Sequence, residues 1–574
     1  MLGLSKNDSS LNSRISLLFL AGIFFLAVFL RFFQLGNIPN GLQQDETSIG
    51  YNAYSILSTG KDEYGKHLPV LFKAFGEYKL PGYIYLSVLP IALFGPDAFA
   101  VRFASAFFGS LTVLMLFFLV RELMDRKNNA VPLLATLFLT VNPWHLHFSR
   151  GAFEVTPALF FIVTGVYLFF LVKRKKSLLI LLSGLFIGGL SMYTYNIARF
   201  FTPLLFLSLF LIYRPDGFIK NNKSRVALGL FLLAFFGLFL LHILEDGGYS
   251  STRGTLIFSS AEVQSRLLEF RSYFVALPGL FTKLFFNSFV STGLLYLQNV
   301  LSYFSVSFLF ISGSPHGNHG IGAAGQLYLM EAVFLLIGVV HCFRAREKSS
   351  MTLFVWAAFV ILIAAMTREA PQATRGFFLI IPLVIFSAIG CIRLGMYLLN
   401  SKNTLIRYGG FVFVVSLFML NMLYYFSSYY VRFPVLYAKQ WRSVDQDLVR
   451  YLRENQSHDP IIIDNKTDFL YTSLLYYLPY SPSEFQQTVS RLPDDTEGFS
   501  KVRSFGRFVY KDIDWEKDAF VPGTLIVTSQ SVGRDDLSVA KEFFYPERPV
   551  VLAKGQDILQ FPVRDSAYVV LEAQ

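Results

Sequence analysis

The sequence predicts an all-α polytopic membrane domain of about 11–13 transmembrane helices plus interfacial helices, followed by a C-terminal soluble α/β domain. Of the 574 residues, 53% are hydrophobic and only 16% are charged, with a mean hydropathy of +0.48. Soluble domains carry about 25% charged residues, so no single water-soluble core absorbs this much apolar surface. Apolar runs close to the length that spans a bilayer, about 20 residues, recur as far as residue 429. Charged residues become frequent after residue 430.

The apolar runs place the membrane domain at residues 1–429. The first run follows Lys6 and Arg14 and has no small-residue cleavage site, so we expect a retained first span rather than a signal peptide. Residues 80–94 are also apolar, but Pro81, Pro90 and Pro96 leave open whether they cross the bilayer or lie in its interface. The predicted spans are residues 15–33, 99–120, 131–148, 155–172, 178–193, 200–213, 226–244, 327–343, 352–366, 376–397 and 409–426.

Basic clusters occupy alternate loops, at residues 121–127, 173–176, 214–225, 344–348 and 402–407. Because Lys and Arg are enriched in cytoplasmic loops, we expect a cytoplasmic N-terminus and an extracytoplasmic C-terminal domain. Two large loops, residues 34–97 and 245–326, then face outward, and residues 267–311 suit amphipathic helices in the interface. The net charge of +11 is spread between apolar runs, whereas a nucleic-acid binder gathers its basic residues on one face.

The C-terminal segment, residues 430–574, is expected to be the extracytoplasmic α/β domain. Residues 444–453 have helical spacing, and residues 460–463 and 524–528 read as short buried strands. We expect a second helix at residues 537–544 and two strands about a glycine-containing turn at residues 550–561.

The first outward loop contains the residues most suggestive of chemistry. Asp45 and Glu46 follow the first span, and a carboxylate held there away from bulk water could act as a general base. An alternative is that Asp45 caps a helix starting at Glu46. Lys79 could bind an anion or extend towards lipid headgroups. Asp62 and Glu63 precede Tyr64-Gly65, a pattern typical of a solvated turn.

Four arginines lie near the outward ends of predicted spans. Any one of Arg102, Arg150, Arg199 and Arg375 could be an interfacial anchor. If several of them lie near one face together with Asp45, Glu77 and Glu154, they form a mixed-charge cavity. Such a cavity is suited to a phosphate-bearing ligand, because guanidinium groups bind phosphate through paired hydrogen bonds.

Two pairs of histidines are candidates for metal or substrate binding. His145 and His147 follow Asn142-Pro143, a helix boundary at which the two imidazoles diverge, so we do not expect a metal site there. His316 and His319 lie in a glycine-rich loop that could close over a substrate or could be a plain surface loop.

These residues, taken in order through most of the membrane region, resemble the bacterial membrane glycosyltransferases of the protein O-mannosyltransferase and aminoarabinose transferase type, in the GT-C superfamily. The strings that carry the resemblance are Asp45-Glu46, Tyr78-Lys79-Leu80-Pro81, Phe94-Gly95, Ala100-Val101-Arg102-Phe103-Ala104-Ser105-Ala106, Asn142-Pro143, Ser149-Arg150, Tyr193-Thr194-Tyr195, Arg199, Ser312-Gly313, Gly325-Gln326-Leu327-Tyr328 and Thr374-Arg375-Gly376. The sequence departs from the commonest bacterial pattern at Leu80-Pro81-Gly82 and in the loop that contains His316 and His319, which lacks the usual Asp and Arg.

The resemblance implies an outward pocket that takes a sugar from a polyprenyl-phosphate carrier and inverts its anomeric centre. It implies that Asp45 is the catalytic base or an acceptor-binding acid, that Glu46 supports it and that Lys79 holds the donor phosphate. The remaining candidates for donor and substrate binding are Arg375, Arg199, Arg150, Tyr195 and Glu77. No metal or cofactor is expected, because Lys and Arg replace the divalent ion of the related oligosaccharyltransferases, whose Trp-Trp-Asp-Tyr-Gly signature is absent from this sequence.

Two other classes of protein stay open at this point. A transporter or flippase of lipid-linked glycans would also be polytopic with intramembrane charges, although such proteins tend to have internal repeats, and none is visible here. A catalytically inactive, glycan-binding relative is the other alternative. The sequence leaves open which sugar is moved and whether the acceptor is a protein hydroxyl, a glycan or a lipid.

Overall fold

Apolar helices make up most of the chain as far as residue 427, and strands dominate its end, so the predicted fold class is confirmed. The structure is a computed structural model that describes residues 6–75, 78–124, 126, 128–214, 226, 229, 237, 256–257, 265, 267–269, 271–272, 279, 284–285, 287–314, 316–467, 469–494, 500–516, 518, 523–529, 537–554 and 557–573. The span predicted at residues 226–244 lies outside the described residues except for three positions. Most of residues 245–286 in the second large loop lie outside them as well.

The helices follow the predicted apolar runs closely. In the described ranges their bounds are Lys6–Phe32, Gln44–Thr59, Pro81–Phe94, Ala98–Leu123, Ala130–Val141, Pro143–Phe148, Val155–Lys175, Leu178–Leu190, Ala198–Tyr213, Ser288–Ser302, Glu331–Ala345, Lys348–Ala364, Ala373–Gly376, Ile380–Leu399, Gly410–Ser427, Phe433–Leu436, Asp445–Glu454, Leu470–Tyr477 and Pro482–Thr488.

Six helical stretches in the described part of the chain are long and apolar enough to cross a membrane, so this is a multi-pass membrane protein. They are Arg14–Phe32, Ala98–Leu123, Val155–Lys175, Ser288–Ile311, Ala373–Leu399 and Leu405–Leu436. Shorter apolar helices such as Pro81–Phe94 and Ala198–Tyr213 accompany them. The stretch Ser288–Ile311 was expected to lie in the interface, but by length and composition it is able to cross.

The single span predicted at residues 131–148 is wrong, because the chain breaks there into two helices. Asn142 has an extended backbone, and its side chain accepts a hydrogen bond from the His145 amide at 2.9 Å, which caps the second helix. Pro143 then occupies the first helical turn, where its missing N–H costs no hydrogen bond.

By its internal contacts the chain divides into two units. The first unit comprises Met1–Phe33, Ser105–Ser149 and Phe153–Phe426. The second unit comprises Gln34–Ala104, Arg150–Ala152 and Ser427–Gln574. The first large loop, residues 34–97, thus groups mostly with the C-terminal segment. The domain boundary expected at residue 430 stays a prediction.

In the first unit, helices Glu331–Ala345 and Ile380–Leu399 approach each other through glycine. A Cβ atom added at Gly338 would lie 1.9 Å from Phe386 O, and one added at Gly390 would lie 1.8 Å from Phe334 O. Small residues at such contacts let helix backbones pack closely in lipid, where no hydrophobic force drives helices together.

The second unit contains a seven-stranded mixed sheet. Its strands are β3 (Ile461–Asp464), β4 (Ser490–Arg491), β5 (Val502–Phe505), β6 (Phe508–Lys511), β7 (Leu525–Thr528), β8 (Leu537–Phe544) and β11 (Ser566–Ala573), after a hairpin of β1 (Phe72–Lys73) and β2 (Tyr78–Lys79) in the first loop. The sheet order is β4-β5-β6-β3-β7-β11-β8, and β3 runs parallel to both β6 and β7. Strands β9 (Arg548–Lys554) and β10 (Asp557–Val563) form a separate antiparallel pair, which confirms the two strands expected there.

The helix predicted at residues 537–544 is wrong, because this segment is strand β8. It pairs antiparallel with β11 along its whole length, from Leu537 opposite Ala573 to Phe544 opposite Ser566. Eight residues with mixed apolar and charged side chains fit a helix or an edge strand equally well by local pattern. Pairing with strand β11 determines that this segment forms a strand and not a helix.

Helix Gln44–Thr59 packs against the C-terminal part of the second unit. The Thr47 hydroxyl donates a hydrogen bond of 2.8 Å to the Thr472 hydroxyl, and the rings of Tyr51 and Phe485 lie edge to face at 5.8 Å. A Cβ atom at Gly50 would lie 2.4 Å from the Tyr476 ring, so this glycine allows the close approach. These contacts fix the direction of the helix that carries the predicted acidic pair.

Candidate active site

The predicted acidic pair begins a helix. Asp45 and Glu46 both lie in the first turn of helix Gln44–Thr59, where unpaired backbone N–H groups and the helix dipole stabilise carboxylates. Gln43 occupies the cap position, and its backbone N–H donates to Glu46 Oε2 at 3.2 Å. The alternative that Asp45 itself caps the helix is therefore wrong.

Lys79 reaches Asp45 from the β1–β2 hairpin. Its Nζ lies 2.8 Å from Asp45 Oδ1 and 5.4 Å from the centre of the Phe75 ring. The Lys79 side chain is 5% exposed and the Asp45 side chain is 44% exposed. The alternative that Lys79 extends towards lipid headgroups is therefore wrong, because its ammonium group is buried against a carboxylate.

Glu46 is fully buried and is paired with Arg102. Arg102 Nε donates to Glu46 Oε1 at 2.9 Å and Nη2 donates to Oε2 at 3.1 Å, which is a two-point ion pair. Oε1 also accepts from the Ala152 amide at 2.8 Å, and Oε2 accepts from the Gln43 amide. Each carboxylate oxygen thus accepts two hydrogen bonds, so Glu46 anchors the start of the helix, while the Asp45 side chain stays partly exposed.

Arg150 lies in a buried aromatic setting in the same unit. Its guanidinium carbon lies 5.4 Å from the Tyr429 ring centre and 5.5 Å from the Tyr430 ring centre. Arg150 Nε donates to the Tyr429 hydroxyl at 3.1 Å, and Nη2 donates to Ile38 O at 3.0 Å. These contacts give Arg150 a role in joining the first loop to the segment after residue 427, and binding of the donor phosphate by Arg150 stays a prediction.

Three further candidates belong to the first unit. Arg375 Nη2 lies 3.8 Å from Glu369 Oε2, and the Arg375 side chain is 17% exposed. Tyr195 packs edge to face on Phe378 at 6.0 Å; burial raises the pKa of its phenol, while the nearby Arg375 charge opposes this rise. The structure thus brings Tyr195 and Arg375 near each other, while Arg199 is half-buried on helix Ala198–Tyr213.

Not every predicted site residue can be placed. Glu77 lies outside the described residues. Asp45, Glu46, Lys79 and Arg150 belong to the second unit, whereas Tyr195, Arg199 and Arg375 belong to the first. The convergence of Asp45, Lys79 and Arg375 on one cavity stays a prediction.

The solvated turn expected at Asp62 and Glu63 is wrong, because both residues are about 1% exposed. Asp62 Oδ1 accepts hydrogen bonds from the Tyr64 and Lys66 amides at 2.9 and 2.8 Å, which closes the turn from inside. The Tyr471 hydroxyl lies 3.5 Å from Glu63 Oε1. Burial raises the pKa of Glu63 to about 7, and the positive charge of Arg491 only partly opposes this rise.

The histidines of the first unit are engaged with neighbouring groups. Arg31 Nη2 donates to His145 Nδ1 at 2.7 Å, and His147 Nε2 donates to Asn318 O at 2.9 Å. Among the described residues, no group of three or more His, Cys, Asp or Glu side chains is arranged to hold a metal ion. His319 stacks on Phe148 with ring centres 6.2 Å apart, so the loop of His316 and His319 is attached to helix Pro143–Phe148.

Two residues of this region were not predicted as site residues. From the sequence, Arg102 is expected to be an interfacial anchor or one of several arginines around a mixed-charge cavity, although an arginine inside an apolar run is itself a signal of a buried acidic partner. The second residue is Trp441, whose ring centre lies 5.5 Å from the Arg102 guanidinium carbon. It follows Arg102 by 339 residues, so no local sequence pattern links the two.

The comparisons with known proteins agree with this fold. Residues 22–245 match the family model described as dolichyl-phosphate-mannose-protein mannosyltransferase. A protein of Aquifex aeolicus (strain VF5), described as uncharacterized, is 28% identical over 200 residues, which cover 33% of this chain and 39% of that protein. The present chain therefore matches well under two thirds of the length of that relative.

Two crystal structures of ArnT from Cupriavidus metallidurans resemble the chain along nearly its whole length. The apo structure covers 97% of this chain and 98% of its own, with a TM-score of 0.51 and 12% sequence identity. The structure bound to undecaprenyl phosphate gives the same values. Over residues 22–245 the chain is thus similar in sequence to the dolichyl-phosphate-mannose-protein mannosyltransferase family, and it has the fold of ArnT.

Proposed function

We propose that the protein transfers a sugar from a polyprenyl-phosphate-linked donor to an acceptor hydroxyl, with inversion of the anomeric centre, on the outer side of the membrane. The pairing of Asp45 with Lys79 carries this proposal, because it places a partly exposed base beside a buried cation. The match to a mannosyltransferase family and the fold shared with ArnT support the donor class.

In this proposal Asp45 accepts the proton of the acceptor hydroxyl as the acceptor oxygen attacks the anomeric carbon. The bond between that carbon and the phosphate oxygen breaks, and polyprenyl phosphate leaves with the bonding electron pair. A positioned base of this kind contributes about 10²- to 10⁴-fold to the rate. The fixed cations that meet the negative charge developing on the phosphate supply a further share of the stabilisation.

In this proposal Lys79 binds first Asp45 and then the donor phosphate. In the structure its ammonium group binds Asp45 at 2.8 Å. An arriving donor phosphate would take over the ammonium group, which frees the Asp45 carboxylate to receive a proton at the moment the donor is in place. Lysine and arginine side chains supply the positive charge, so the proposal requires neither a metal ion nor a cofactor.

The remaining predicted residues complete the proposed donor site. Arg375, Arg199 and Arg150 would share the charge of the phosphate, and Tyr195 and Glu77 would contact the sugar or the acceptor. We also propose a cytoplasmic N-terminus and an extracytoplasmic C-terminal domain, on the basis of the basic loops. The acceptor would be a protein hydroxyl, a glycan or a lipid, all of which offer the required oxygen nucleophile.

The proposal is tested with purified protein in proteoliposomes that contain a panel of undecaprenyl-phosphate-linked sugars. Mass spectrometry of cell-envelope glycans and glycoproteins, with and without the protein, identifies the acceptor to add. We expect Asp45→Asn to lower transfer by at least about 100-fold while binding of undecaprenyl phosphate is retained. Asp494→Asn, which alters an exposed carboxylate of the same unit, is the matched control and should change transfer by less than about twofold.

The same experiment separates the other two classes of protein. A transporter or flippase would move the labelled donor across the bilayer without breaking its bond to phosphate. An inactive relative would bind the donor and release no polyprenyl phosphate. Either result, with correctly folded protein and the acceptor present, would overturn the proposal.

A further inference from the structure

The guanidinium of Arg102 is a junction between the predicted acidic pair and the loop that precedes it. Besides its two bonds to Glu46, it donates from Nη1 to Leu35 O at 3.1 Å and to Pro39 O at 2.8 Å. Its Nη2 also donates to Gly41 O at 2.5 Å. All five N–H donors of the side chain are used, so any shift of Arg102 displaces Glu46 and the loop together.

Trp441 contacts this junction in two ways. Its ring centre lies 5.5 Å from the guanidinium carbon of Arg102, within the range of a cation–π contact, and the residue has no exposed surface. Its backbone lies against Gly41, where an added Cβ atom would be 2.4 Å from Trp441 O. Gly41 has a φ of +87°, a conformation that glycine adopts without strain. Trp441 therefore lies against both the cation and Gly41, the residue whose carbonyl group accepts a hydrogen bond from Arg102 Nη2.

The position of Trp441 is itself fixed by the residue that follows it. Arg442 Nε donates to Asp445 Oδ2 at 2.6 Å, and the Ser473 hydroxyl donates to the same carboxylate at 2.5 Å. The Tyr568 hydroxyl donates to Asp445 Oδ1 at 2.8 Å. Helix Asp445–Glu454, helix Leu470–Tyr477 and strand β11 thus meet at the buried carboxylate that binds Arg442, and these bonds hold the segment that carries Trp441.

We infer that Trp441 is a positioning residue, which holds Arg102 and Glu46 so that the first turn of helix Gln44–Thr59 presents Asp45 in one fixed place. The C-terminal segment thereby acts on the proposed base through contacts within one unit, without touching the substrate. The effect of Trp441 on sugar transfer rests on the function proposed above. The effect of Trp441 on the order of the helix start does not depend on that function.

The test compares four proteins in proteoliposomes: the wild type, Trp441→Leu, Trp441→Phe and Trp515→Leu. Trp515 is partly buried against the sheet core of Ile462, Ile526, Val569 and Leu571, so Trp515→Leu is a matched substitution in the same unit, away from Arg102. Hydrogen–deuterium exchange at residues 43–49 reports on the helix start without any substrate, and transfer kinetics report on Asp45.

We expect Trp441→Leu to speed exchange at residues 43–49 by about tenfold or more, and Trp515→Leu to change it by less than about twofold. Trp441→Leu should lower kcat by about 3- to 30-fold with KM for the donor changed less than about twofold, because it removes a cation–π contact and no donor ligand. Trp441→Phe keeps an aromatic face and should recover kcat to within about threefold of the wild type.

The inference is overturned if exchange at residues 43–49 is the same in Trp441→Leu and Trp515→Leu, or if both variants lose kcat equally. Failure of Trp441→Phe to recover kcat would overturn it as well. Should Trp441→Leu fail to fold, Trp441→Met, which fills the space without a ring, takes its place. A wild-type protein that transfers no sugar refutes the proposed function, while the exchange measurement still decides the positioning role.

Discussion

Lys79 Nζ lies 2.8 Å from Asp45 Oδ1, and the two side chains meet with opposite accessibility, 5% exposed for the lysine and 44% for the aspartate. The lysine ammonium is thus held by the protein, whereas the carboxylate remains open on one side. Beside this pair, the Glu46–Arg102 pair is completely buried. Two adjacent carboxylates therefore have different environments, and only Asp45 combines a cation with access from outside.

Replacement of Lys79 tests the donor half of the site. We expect Lys79→Gln to lower kcat/KM for the donor by about 10- to 150-fold, since a hydrogen bond to a charged group is worth about 1.5–3 kcal/mol. Lys79→Arg, which keeps the charge, should lose less. Lys73→Gln is the control, because Lys73 is in the same hairpin and pairs with an exposed aspartate. Equal losses in Lys73→Gln and Lys79→Gln, measured by initial rates, would contradict a specific role of Lys79.

Replacement of Arg102 tests the buried pair. Arg102→Gln leaves the Glu46 carboxylate buried without its cation and should lower the free energy of unfolding by about 3–5 kcal/mol. The double variant Glu46→Gln with Arg102→Gln should cost less than the sum of the single changes, because no charge is left uncompensated. Chemical denaturation in detergent measures all three variants.

The exposed pair of Arg450 and Asp447 is the control for this series. Its side chains are 54% and 61% exposed, so Arg450→Gln should cost no more than about 1 kcal/mol. Additive effects of the Glu46 and Arg102 changes would mean that the two side chains are not energetically coupled.

Helices of the membrane region could be predicted because their signal is local. The span expected at residues 155–172 is helix Val155–Lys175, and its end coincides with the basic run that delimits it. The helix expected at residues 444–453 is Asp445–Glu454, which has one strongly apolar face. Length and hydropathy suffice in both cases, since neither feature depends on distant residues.

The environment of individual site residues could not be predicted, because it is made by residues far along the chain. Glu63 is buried by Tyr471 and Arg491, which follow it by more than 400 residues. Strand β8 is defined by pairing with β11, not by its own eight residues. The sequence motifs single out Asp45 and Lys79 as candidates, but the direct pairing of their side chains depends on how the hairpin folds back on the helix.

The pH dependence of stability should report the burial of Glu63. Its pKa is raised from 4.5 to about 7, so between these values the unfolded chain loses a proton that the folded protein keeps. Stability therefore falls as pH rises from 4.5 to 7, by about 3 kcal/mol at most, and the loss is complete above pH 7.

Glu63→Gln removes this titration. Near pH 4.5 the variant and the wild type should have the same unfolding temperature. As the pH rises towards 7, the unfolding temperature of the variant should increasingly exceed that of the wild type. Thermal unfolding in detergent over this range measures the difference, with Glu516→Gln, an exposed position, as the control. A constant difference between Glu63→Gln and the wild type at every pH would show that Glu63 does not titrate in this range.

Substitution of Gly390 tests how closely the membrane helices approach. A Cβ atom there would lie 1.8 Å from Phe334 O, so Gly390→Ala must push helices Glu331–Ala345 and Ile380–Leu399 apart and should cost about 1–3 kcal/mol or more. Gly395, five residues further along the same helix, has no heavy atom within 4 Å of its added Cβ atom among the described residues. Gly395→Ala should therefore be neutral or slightly stabilising, because alanine is the better helix former. Thermal unfolding of both variants in the same detergent decides the matter: equal unfolding temperatures would mean that the helix contact at Gly390 relaxes without cost.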